Sequence, residues 1–142
     1  MANSSPETRT AEIVTKGRLT LLAFLPDLFR VIRSVPIVEY QRRTLSLHQA
    51  VARARRSGGK LRTRTSHARQ ILRRFIFAVD RYVPGGPNCV RRALLEIRLD
   101  GAAARENLFA GFKSGGGPRS GHAWLESDRR PAGGAFDATT VL

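Results

Sequence analysis

The sequence predicts an α+β fold in which a helical N-terminal layer packs on a small antiparallel sheet. Three observations carry that reading. Over residues 11–83 apolar side chains recur at three- and four-residue spacing, the period of a buried helix face. From Glu106 onward the texture changes to short alternating apolar runs separated by Gly-rich stretches. The chain has 142 residues, of which 42% are hydrophobic and 25% charged, the composition of one globular domain with a core of its own. The expected organisation is a disordered N-terminus over 1–10 and a single domain over 11–142. Its helical part spans 11–100 and its sheet part 106–142.

The elements follow in order. A first helix is expected from about Thr10 to Leu25, broken at Pro26, which lacks the N–H a helix interior needs. Asp27 resumes it as a second helix, and Pro36 ends that one. Ser46 is placed to cap a helix over 45–56, with Leu47, Val51 and Ala54 facing inward and "SGGK" closing it. Ser66 can cap the next, "HARQILRRFIFAVDRYV". Its apolar face is Ile71, Leu72, Phe75, Val79 and Tyr82, with Arg69, Arg73 and Arg74 on another side. "PGGPN" is a loop. A further helix begins near Cys89, carries Ala93, Leu94 and Ile97 on one face and stops by Gly101. "ENLFAGFKS" and "HAWLES" read as strands joined through "GGGPRSG", with hairpin pairing the simplest topology. "GAFDATTVL" reads as a third strand, expected beside the second.

Charge and cysteine usage narrow the class. The net charge is +14, with its densest cluster in "RARRSGGKLRTRTSHAR". Such a field attracts polyanions, acidic proteins or an anionic membrane surface. No aromatic stacking platform or recognition-helix signature accompanies it, so an acidic partner is expected and no specific nucleic acid. The single Cys excludes an intramolecular disulfide and any multi-cysteine zinc site, and a lone thiol points to the cytoplasm. The polar N-terminal stretch does not read as a signal peptide, so none is expected. The apolar stretch 19–32 is too short to span a bilayer and is interrupted by Pro26 and Asp27; peripheral membrane contact is the alternative to its burial.

Cys89 falls just after a Gly-Gly-Pro turn and at a helix start. A helix N-terminus offers partial positive charge and free N–H groups, which favour a thiolate and could line an oxyanion hole. Thiol-based acyl chemistry also needs a base and a group to orient it. His122 is the natural base, at the head of a strand between Gly121 and Ala123. Asp137, on the following strand, is the candidate orienting acid, and Asp128 in "ESDRRP" is its rival. By spacing alone these three residues are weak evidence. A lone Cys is more often a small buried hydrophobe than a nucleophile. His48 and His67 read as solvent-facing.

The strings "NCVRRALLE", "GHAWLES" and "FDATTVL" together resemble the leader peptidases of lasso-peptide biosynthesis, the transglutaminase-like B-protein family. That family's Cys-Leu-x-Arg-(Ser/Ala)-Leu helix start is matched by Cys89, Val90, Arg91, Arg92, Ala93 and Leu94, with Val for Leu. Its (Ala/Gly)-His-Ala-Trp-(Val/Leu)-Glu strand is matched throughout, from Gly121 to Glu126. Its acid lies about a dozen residues downstream, a slot Asp137 fits best. The resemblance covers residues 83–142. It implies a papain/transglutaminase-like core and a stand-alone peptidase with a Cys89–His122–Asp137 triad. It further implies an oxyanion hole from the Cys89 amide with help from Asn88, and neither metal nor organic cofactor. The implied partners are a precursor (leader) peptide, a leader-recognition protein and a macrolactam-forming cyclase. The rival reading is a non-catalytic Arg-rich helical module that docks on nucleic acid or an acidic partner, with Cys89 structural.

Overall fold

The computed structural model describes residues 6–113, 120–128 and 138–142, with side chains from Phe24 onward except those of Lys113, Ser120 and Ala138. Among these, four helices and a three-stranded antiparallel sheet form the α+β fold expected. They are α1 (Pro6–Thr44), α2 (Leu47–Gly58), α3 (Ser66–Asp80), α4 (Cys89–Leu99), β1 (Leu108–Lys113), β2 (Ser120–Leu125) and β3 (Ala138–Val141), with a short 3₁₀ turn at Ala103–Arg105.

α1 departs from expectation: it runs unbroken through Pro26 and Pro36. Asp27, Val31, Ser34, Val38 and Gln41 are all buried, and they follow one another at spacings of four and three on one helix face. That continuous buried stripe outweighs the hydrogen bond each proline removes. Both prolines sit on the exposed side of the helix. The outer face of α1 also exposes Leu25, Phe29 and Ile32. No helix among the described residues is long and apolar enough to cross a membrane.

α2 begins as expected. The Ser46 side chain accepts from the Gln49 amide, and Gln49 answers the Ser46 amide, a complete capping box. α3 is capped one residue earlier than expected, by Thr65. Leu72 and Ile76 form its buried stripe, while Tyr82 lies beyond the helix end and is fully exposed. α4 is the central element. Ala93, Leu94, Leu95, Ile97 and Leu99 are buried between α1, α2, α3 and the sheet. At the α2 end, a Cβ on Gly58 would lie 1.8 Å from the Ile97 carbonyl oxygen, so only glycine allows α2 to approach α4 this closely.

The sheet order is β2-β1-β3. The expected hairpin is present, with Gly111 opposite His122 and Phe109 opposite Trp124. β3 does not lie beside β2 as expected. It pairs with the other edge of β1, setting Thr139 opposite Gly111. Two strand spacings, about 9.6 Å, therefore separate β2 from β3. The Leu108 and Leu142 backbones close this pairing, and Arg55 of α2 donates to the carbonyls of Glu106 and Leu142.

The basic segment is less free than its charge suggests. Arg64 makes a two-pronged pair with buried Asp27 at 2.7 and 2.8 Å. Arg69 binds Glu96 and Glu106, and Arg73 binds Glu96 at 2.7 Å and Asp128. Arg69 and Arg73 thus face α4 and the sheet rather than solvent. Burial opposes the Arg69 charge, but the bonds to Glu106 and Glu96 outweigh it and hold the guanidinium protonated more firmly than usual. Burial pushes the Glu96 carboxyl up in spite of both arginines.

Candidate active site

Cys89 is the first residue of α4, and its surroundings are built from the loop upward. Gly85 and Gly86 take positive φ, a conformation other residues adopt only with strain, and turn the chain from α3 toward α4. Asn88 is extended and caps the helix, its Oδ1 accepting from the Arg91 amide at 3.0 Å. That leaves the Cys89 and Val90 amides as first-turn donors with no acceptor among the described residues. The Asn88 side chain can offer only its NH₂ to a ligand.

A buried ion network fixes this turn. Asp80, the last residue of α3, is fully buried and accepts from the Asn88 amide at 3.0 Å, from Arg91 Nε at 2.5 Å and from Arg92 Nε at 2.6 Å. Arg91, only 1% exposed, reaches Glu39 of α1 at 3.0 Å and the Gly86 carbonyl. Glu39 binds Arg42 and Arg43 as well. Sequence reasoning missed this network, although a signal was present. Two arginines in the first turn of a helix oppose its dipole and require carboxylate partners.

Glu39 makes the network pH-sensitive. The hydrogen bond from Arg42 lowers its carboxyl most, and those from Arg43 and Arg91 add to it against the cost of burial. The result falls from the ordinary 4.5 to about 2. A depressed carboxyl stabilises the fold above its unfolded value and loses that stabilisation as pH falls through its folded value. Stability should therefore drop between pH 4.5 and 2, and Glu39→Gln should remove part of that drop. Urea unfolding midpoints of both proteins across this range check it; equal losses in the two would contradict it.

On the other wall stands β2. The Cys89 thiol donates to the Gly121 carbonyl at 3.8 Å, which seats α4's start against the residue before His122. His122 is exposed and lies 5.9 Å, ring to ring, from Trp124, which in turn stacks on Phe109 at 5.8 Å. Cys89 and His122 line one cavity of about 270 Å³, together with Trp124, Glu96, Arg73 and Asp128. Asp128 accepts from the Leu125 amide at 3.0 Å and pairs with Arg73 at 2.7 Å. Asp137 lies outside the described residues. With β1 between β2 and β3, strand adjacency no longer supports its pairing with His122. His48 and His67 are exposed, as expected, and no cluster of metal-ligating residues occurs among the described residues.

Cys89 is thus a half-buried thiol on a helix N-terminus that shares one cavity with His122, two of the groups that thiol-based acyl chemistry requires. The family model described as the transglutaminase-like superfamily matches residues 32–141, most of the chain, and the protein belongs to that superfamily, whose members are typically cysteine peptidases or acyl transferases. No curated protein and no solved structure matches it.

Proposed function

We propose that the protein is a cysteine peptidase that removes the leader peptide from a ribosomally made precursor during lasso-peptide maturation. The observation that carries the thiol chemistry is Cys89 and His122 in one cavity, with the thiol on the first turn of α4. The leader-peptide substrate rests on the resemblance of the two motifs alone; the family match supports cysteine-protease-type chemistry in general.

In this reading Cys89 Sγ attacks the scissile carbonyl carbon while His122 takes the thiol proton. The Cys89 amide, with the Asn88 NH₂, stabilises the tetrahedral oxyanion. His122 then protonates the leaving amine as the C–N bond breaks, leaving a thioester. Water, deprotonated by His122, releases the acid and restores the thiol. An amine in place of water would make the same site a transferase. A leader-recognition protein would present the precursor, and a macrolactam-forming cyclase would act on the product.

Asp137 is proposed to orient His122, on the strength of the resemblance; Asp128 competes through its place in the cavity. Asp137→Asn should favour the wrong imidazole tautomer and cut the rate on the order of 10³- to 10⁴-fold, by analogy with serine triads. Asp128→Asn keeps an acceptor for Leu125 and should cost less than about tenfold. The test is mass-spectrometric cleavage of a precursor peptide encoded beside the gene, with its leader-recognition protein present. Wild-type cleavage at a single bond is the expected result. Failure to cleave any such precursor, with a reactive Cys89, would remove the leader-peptide assignment and leave the thiol chemistry standing. A crippled Asp128→Asn beside a near-normal Asp137→Asn would transfer the orienting role to Asp128.

A further inference from the structure

The outer face of α3 carries a second groove of about 550 Å³, lined by Gln70, Arg73, Arg74, Phe77, Ala78 and Arg81. It shares Arg73 and Phe77 with the Cys89–His122 cavity, so the two adjoin at those side chains. Gln70, Arg74, Ala78 and Arg81 recur at helical spacing, one stripe roughly 16 Å long. That length matches about five residues of extended chain.

The charges in this groove differ from those around it. Arg69, Arg73, Arg91 and Arg92 are each paired with carboxylates of the fold. Arg74 and Arg81 are exposed and have no carboxylate partner among the described residues. Phe77 is half exposed, and the Arg92 guanidinium lies 4.2 Å over its ring. The groove therefore offers two unneutralised cations flanking one apolar platform, and it adjoins the cavity that holds the thiol.

We propose that this groove is a specificity subsite that takes an acidic, extended segment of the peptide substrate. In it, carboxylates meet Arg74 and Arg81, and an apolar side chain rests on Phe77. The proposal rests on the peptidase reading of Cys89 and deepens it by naming the charge of the substrate segment. A nucleic-acid strand would also meet arginines and an aromatic ring. Adjacency to the thiol cavity favours a peptide, because a bound chain must deliver a carbonyl to Cys89.

The test uses a fluorescein-labelled peptide, Glu-Glu-Leu-Glu-Glu, and its counterpart with Gln for every Glu. Binding is followed by anisotropy on the full-length Cys89→Ala protein at about 100 mM salt, where diffuse attraction to the net charge is screened. Arg74→Ala/Arg81→Ala should weaken the Glu peptide roughly five- to tenfold and leave the Gln peptide unchanged. Arg53→Ala/Arg56→Ala removes the same charge from exposed positions of α2 and should change binding less than about twofold. In the wild type, the Glu peptide should slow alkylation of Cys89 by iodoacetamide. Equal effects of the two double variants would overturn the subsite. So would binding without protection of Cys89, or an oligothymidylate that binds more tightly than the peptide and depends equally on Arg74 and Arg81. The Cys89 reading fails separately, through the reactivity of the thiol itself.

Discussion

Cys89→Ala is expected to abolish precursor cleavage while leaving the protein folded. The thiol is half-buried at the edge of the core, and its one polar contact among the described residues is the weak 3.8 Å bond to the Gly121 carbonyl. Trading it for a methyl group removes little packing. The chemistry, in contrast, loses its nucleophile, and nothing else in the cavity can replace it. The Arg73, Arg92 and Glu96 side chains there are tied into ion pairs. A loss on the order of 10⁵-fold or more is expected, the scale found when a nucleophile is removed from an acyl-transfer unit. His122→Ala should cost about as much, and the double variant little more, because nucleophile and base act as one unit. Retained cleavage by purified, folded Cys89→Ala protein would end the catalytic reading.

The largest effect on stability is expected at Asp80. Its carboxylate holds Arg91, Arg92 and the Asn88 amide at once, and it is fully buried. Among the described residues, Asp80→Ala leaves the buried Arg91 guanidinium with Glu39 as its only carboxylate and leaves the Asn88 amide without its acceptor. Breaking such a pair by removing one partner costs roughly 3–5 kcal/mol, a large share of a domain's total stability. Asp80→Asn keeps the shape and one acceptor and should cost less. Urea unfolding of the two variants decides the point. A loss below about 1 kcal/mol for Asp80→Ala would mean that the network is not what holds the start of α4. Because this network seats Cys89, a folded Asp80→Asn protein should also lose activity, more through kcat than through KM.

Local signals explain how much of this was legible in the sequence. Ser46 followed by Gln49 is a capping box readable from four residues, and α2 starts there. The apolar spacing of Ala93, Leu94 and Ile97 identified buried positions of α4, but not that Arg91, Leu95 and Glu96 on its other sides are buried too. Alternation in "ENLFAGFKS" and "HAWLES" was enough to place the β1–β2 hairpin. Pro26 and Pro36 misled because a proline is a local penalty, whereas the stripe from Asp27 to Gln41 is a tertiary gain spread over four turns. The arginines misled for a related reason. Composition shows an excess of charge, but not that Arg64 meets Asp27 across 37 positions or that Arg91 meets Glu39 across 52. Strand order was hidden too, since the four-residue β3 pairs with β1 through contacts distant in sequence. Cys89 and His122 were legible because the helix start and the hairpin that carry them are both local, and the tertiary fold brings those two pieces to one cavity.

The most direct measurement is the rate at which iodoacetamide alkylates Cys89 near pH 6, in wild type and in His122→Ala. The chain has one cysteine, so every adduct reports that thiol. A thiol paired with an imidazole at a helix N-terminus reacts as the thiolate at this pH. Wild type should label at least about tenfold faster than His122→Ala, with both proteins folded by circular dichroism. Equal, slow labelling of the two would show a thiol that does not use His122, and would contradict the proposed active site.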